Sequence, residues 1–214
     1  MLDRRNPAKL SVICCVSLLA LCLVVVVLAS CRSSAKVPPI DSSTVLMIHI
    51  YDFGWGLSPA APVSAVFHLE PATDCFAGTA EFSVGPIPDN VITRSVPITV
   101  PLTAIEGFLA LLESTPLEEG EYKPSIIHTD SYPTISIAVE AKAGYLRFYS
   151  ESQGDKRTPW QVTVPGAGVL VTHAGTPADA LSLLDPYLAQ EVKEELIDQA
   201  LDKSRTSPGP SPTP

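Results

Sequence analysis

The chain has 214 residues, of which 14 are Lys or Arg and 23 are Asp or Glu, for a net charge of −9. Nucleic-acid binders carry clustered basic residues, and the excess of acid without such a cluster excludes that class. Of five cysteines, Cys14, Cys15 and Cys22 fall in the first apolar run and Cys31 directly behind it, so Cys75 has no disulfide partner in the remainder.

The first element is a leader. Arg4, Arg5 and Lys9 form a basic segment, and Leu10 to Leu28 is apolar apart from Ser11 and Ser17. Leu28-Ala29-Ser30-Cys31 closes the run. This stretch resembles the signal of bacterial lipoproteins, in which an aliphatic residue and two small ones precede a cysteine. The resemblance implies cleavage before Cys31 and diacylglyceryl attachment to its thiol. Residue 32 is Arg, not the aspartate that commonly retains such proteins at the inner membrane. An uncleaved anchor is the alternative, because about 19 residues at 1.5 Å each can cross a bilayer core. Either way the basic end stays inside and the domain faces out. The leader holds three basic residues and one acidic one. Cys31 to Pro214 therefore carries 11 and 22, a net of −11.

Arg32 to Ser43 is small, polar and proline-containing, the composition of an extended tether. Val45 to Tyr51 reads as a strand apolar on both faces, interrupted by His49, and so as one covered on both sides. Asp52 to Pro59 is a glycine-punctuated loop with Phe53 and Trp55. Strands are predicted at Val63–Glu70, Thr79–Val84 and Val91–Val100, with Pro97 placing the last at an edge or a bulge. Together they read as an antiparallel meander. At Leu102–Ser114 the period changes to that of a helix. Thr103 and Glu106 match a capping box, and Ile105, Phe108, Leu109 and Leu112 form one apolar stripe. Gly107 in this helix suggests close approach of a strand.

Thr115 to Pro133 reads as a long irregular connection, acidic at first and ending in His128-Thr129-Asp130-Ser131-Tyr132. A hairpin follows, Thr134–Ala141 and Tyr145–Ser150, then a polar loop through Pro159. Short strands are predicted at Trp160–Val164 and Val169–Thr172. Thr176-Pro177-Ala178-Asp179 reads as a helix start with Thr176 as N-cap. Pro186 should break that helix. A second helical pattern, Tyr187–Lys203, has Leu188, Val192, Leu196 and Ala200 on one stripe, and its Glu191–Glu194 stretch reads as solvated.

These elements predict an α+β domain. A mainly antiparallel sheet of about seven or eight strands carries one inserted helix and a C-terminal helical segment. The organisation is 1–30 signal peptide, 31–43 lipidated cysteine and tether, 44–203 one domain, and 204–214 a disordered Ser/Pro tail.

Chemistry is thinly signalled. His49, His68, His128 and His173 stand apart, with no H-x-x-x-H or H-E-x-x-H, so no metal and no cofactor is expected. G-x-S-x-G is absent, and Ser33-Ser34-Ala35-Lys36 matches S-x-x-K without its companion motifs. The best candidate lies around the hairpin. If its strands pair, the segments before the first and after the second meet at one end. Asp130, Tyr132, Ser152, Gln153 and Trp160 then form a ligand-binding group suited to a sugar, a peptide or a partner backbone. Turn-forming chemistry explains the same Asp and Ser residues. The expectation is a lipid-anchored binding or envelope-assembly module. It sits at the cell membrane or outer membrane, faces outside the cytoplasm and meets an envelope protein or glycan. The alternative is a surface hydrolase using His128 and Asp130 as general acid and base.

Overall fold

Alternation of apolar and polar residues along the strands decides the architecture. The structure, a computed structural model, describes residues 35–41, 43–52, 60, 63–85, 91–123, 134–141, 144–151 and 159–206. Ala35–Pro214 forms a compact unit separate from Met1–Ser34. The strands in chain order are β1 (Ala35–Lys36), β2 (Val45–Asp52), β3 (Val63–Pro71), β4 (Cys75–Val84), β5 (Ile92–Pro101), β6 (Pro116–Leu117), β7 (Thr134–Ala141), β8 (Gly144–Ser150), β9 (Trp160–Val164) and β10 (Gly168–Thr172). The helices are α1 (Leu102–Glu113), α2 (Thr176–Ser182), a 3-10 turn at Asp185–Tyr187, and α3 (Gln190–Thr206).

Eight strands make one antiparallel sheet in the order β10-β9-β8-β7-β2-β3-β4-β5. Two four-stranded meanders, β2–β5 and β7–β10, lie side by side, joined where β2 pairs with β7. Each meander runs directly or by a short link into a helix. The expected α+β fold is therefore the observed one. Pro97 and Pro101 sit on the edge strand β5, as Pro97 suggests, where a missing N–H costs no ladder bond and discourages pairing with another chain.

Register puts one apolar set on one face. Leu46 and Ile48 of β2 lie opposite Leu69 and Phe67 of β3 and opposite Val139 and Ile137 of β7. Phe76, Ala80 and Phe82 of β4, Phe148 of β8 and Val162 of β9 continue the same face, and all are buried. Phe67 meets Phe82 edge-on, with ring centroids 5.8 Å apart. The buried stripe of α1 is Ile105, Phe108, Leu109 and Leu112. Helix α1 packs on β4, β5 and α2, and α3 packs on β4 and β5. The opposite face carries Met47, His49, Thr79, Glu81, Tyr145 and Arg147, all exposed. Strand β2 is thus covered on one side only, contrary to its two-sided apolar reading. In a two-layer domain one sheet face stays in water, and Met47 lies on it.

Other expectations need correction. The folded unit starts at Ala35, not after a tether to Ser43: β1 pairs with β6, Val37 is buried, and the Ile40 N–H donates to Glu113 Oε1. The connection after α1 is ordered at first, since Glu118 exchanges two backbone hydrogen bonds with Val171 at the β10 edge. Helix α1 begins at Leu102 after Pro101, with no side-chain cap, so Thr103 lies inside it and the capping box does not form. Gly175 rather than Thr176 precedes α2. Gly107 faces Leu183, not a strand, with a hypothetical Cβ 3.4 Å from Leu183 Cδ1. Helix α3 continues to Thr206, past the expected end at Lys203.

Candidate functional site

The covered face is not covered evenly. At the end of the sheet where β2 finishes and β7 begins, Ile50 pairs with Ala65 on one side and Ile135 on the other. These three form the floor of a cleft of about 730 Å³, walled by Ala178, Asp179, Leu181, Ser182, Asp185, Gln190 and Lys193. That volume lies in the range of small-molecule sites, about 300–1,000 Å³.

Local sequence builds this wall. Pro177 favours the first turn of α2. Pro186 cannot continue the helix, and the chain tightens into the 3-10 turn at Asp185–Tyr187. Ala189, in the left-handed region at φ 50, immediately precedes α3. Asp179 and Ser182, Asp185, and Gln190 and Lys193 thus reach one cleft from three successive elements. Ser182 Oγ donates to the Asp179 carbonyl at 2.7 Å and keeps its lone pairs available. Partial burial holds the Asp185 carboxyl above its usual range. Among the described residues neither the Asp185 carboxylate nor the Lys193 ammonium has an ion-pair or hydrogen-bond partner. An apolar floor under opposite charges suits an amphipathic ligand.

The hairpin pairs as expected. Ile135 lies opposite Ser150, so the segment before β7 and the one after β8 attach at the same end of the sheet, the end that holds the cleft. Cys31, His128, Asp130, Tyr132, Ser152 and Gln153 lie outside the described residues, as does the loop with Phe53 and Trp55. Trp160 is the one member of the group among the described residues. It belongs to the hydrophobic core at 1% exposure, away from solvent. Its indole N–H has no hydrogen-bond partner among the described residues. Alternation in β9 (Trp160, Val162 and Val164 buried, Thr163 exposed) places it there.

The cleft wall was not legible in the sequence. Asp179 reads as a helix-start acid and Lys193 as part of a solvated stretch, yet Lys193 is half-buried and lines the cleft. Pro186 between two helical segments is the signal that the helix is interrupted there.

The open face carries a second polar cluster. Arg147 Nε donates to Ser136 Oγ at 2.9 Å, and its guanidinium lies 5.3 Å from the Tyr149 ring centroid. Tyr122 meets Tyr149 edge-on at 6.2 Å and accepts the Glu151 N–H at 3.0 Å. His49 Nε2 lies 3.3 Å from Ser64 Oγ, and burial, helped by Arg147, holds its pKa down. Burial first, then the Glu151 charge, pushes the Tyr149 hydroxyl up, and burial does the same to Tyr122. Cys75 is half-buried at the start of β4, opposite Pro101.

Among the described residues no three His, Cys, Asp or Glu side chains are close enough to hold a metal ion. No protein-family model matches the chain, and no curated protein or solved structure is significantly similar to it.

Proposed function

We propose that this protein is a lipid-anchored, extracytoplasmic binding module whose cleft takes a small amphipathic ligand. The cleft carries the reading: Ile50, Ala65 and Ile135 offer an apolar floor on the central strands, and the α2–α3 wall offers two carboxylates, an ammonium, an amide and a hydroxyl. Sites built this way bury the body of a ligand and orient its polar end. Leu28-Ala29-Ser30-Cys31 supports the address, and the acidic balance of Cys31 to Pro214 suits a domain that stays soluble beside anionic headgroups.

The test is to purify the full chain under native conditions, denature it, and identify released small molecules by mass spectrometry. Ile135→Trp and Ala65→Phe, which fill the floor, serve as controls. The wild type should release an amphipathic molecule in amounts comparable to protein, and whichever folded variant is used should release at least tenfold less. Equal release from wild type and filled variants would count against the cleft as the binding site.

A further inference from the structure

We propose that the cleft takes a short apolar peptide with free ends, its ammonium on Asp185 and its carboxylate on Lys193. This rests on the binding reading above and names the ligand class for the same cleft. Asp185 stands on the 3-10 turn and Lys193 on α3, and both line the one cavity without a charged partner among the described residues. Two opposite charges that line one cleft over an apolar floor and are not paired with each other are complementary to a zwitterion with an apolar body.

Other amphiphiles fit less well. A fatty acid would pair with Lys193 and leave the Asp185 carboxylate without a counter-charge. A simple amine would pair with Asp185 and leave the Lys193 ammonium beside an apolar body. A single amino acid fills little of about 730 Å³. An extended chain advances about 3.3–3.6 Å per residue, so three residues separate the terminal charges by about 10 Å. Leu181, Ile50 and Ile135 can receive aliphatic side chains, while Gln190 and the Ser182 hydroxyl offer donors and acceptors to the peptide groups. Each end then makes a charge-assisted hydrogen bond with the cleft wall.

The probes are trileucine, N-acetyl-trileucine and trileucine amide, titrated calorimetrically into the full chain in lipid nanodiscs. Trileucine should bind, and each blocked form should bind at least tenfold more weakly. Asp185→Asn should erase the penalty for the acetyl group and leave that for the amide. Lys193→Met should do the reverse. Both substitutions are in side chains that are not fully buried, and circular dichroism checks that each variant folds. Equal binding of all three peptides, or no binding of trileucine, overturns the proposal. If trileucine fails while the wild type releases a non-peptide molecule that the Ile135→Trp variant lacks, the peptide assignment falls and the cleft stands. If the variant releases as much as the wild type, both fall.

Discussion

Trp160 shows how much one side chain's placement decides. A buried indole N–H without a partner costs about 1–3 kcal/mol, while the ring's packing contributes more than that. Trp160→Phe removes the orphan donor and keeps most of the ring, so its stability in urea should stay within about 1 kcal/mol of wild type. Trp160→Ala should cost about 3–5 kcal/mol. A surface ligand contact would show neither loss. Gly78 is constrained differently. A Cβ there would lie 1.8 Å from the His68 carbonyl oxygen, a backbone atom that cannot swing aside, so Gly78→Ala should destabilise by about 3 kcal/mol. The tyrosine pair gives a pH signature. Tyr122 and Tyr149 have raised pKa values, so above pH about 10 the unfolded chain loses protons that the native state keeps. Stability should fall as pH rises through that window, and Tyr122→Phe should flatten the fall in thermal melts. His49, with its pKa lowered, acts at the other end: stability should decline as pH drops below about 6.5.

Among the elements, α3 is held by two buried residues, Leu196 and Ala200, with Val192, Ile197 and Leu201 partly buried beside them. Arg94 and Glu195 link it to β5 at 2.7 Å, but both side chains are substantially exposed, and such pairs contribute about 0.2–1 kcal/mol and less in salt. Leu196→Ala should therefore cost about 2–5 kcal/mol and raise hydrogen exchange in α3 first, whereas Arg94→Met should cost under about 1 kcal/mol. Strands and helices with a strong period were legible beforehand: the Thr134–Ser150 hairpin, the α1 stripe and the break at Pro186 all stand as read. Helix starts were not, because Pro101 and Gly175 take the boundary positions that Thr103 and Thr176 suggest, and boundaries shift by a residue at little energetic cost. The β1–β6 strap was also missed. Ala35-Lys36 carries no strand signal of its own and is ordered by pairing with Pro116-Leu117.

For the whole molecule, one-sided cover of the sheet is the main physical fact. Helices follow each meander and pack on β4 and β5, on the face whose side chains are buried, while the other face lies in water. Single-strand periodicity cannot reveal this: Met47 and Ile48 are both apolar, and only the register across β3 and β7 separates core from surface. The cleft arises at this scale too, from the gap between the central strands and the α2–α3 wall, and no stretch of sequence contains it. Among the described residues no helix is long and apolar enough to cross a membrane. The proposed attachment therefore rests on Leu28-Ala29-Ser30-Cys31 alone. The lipid anchor depends on that tetrapeptide being processed. Intact mass spectrometry of the protein taken from its own membranes tests it directly. The expected result is a chain beginning at Cys31 with added acyl mass. A chain beginning at Met1 with no added mass would contradict the lipid anchor and restore the apolar leader as a membrane-spanning segment.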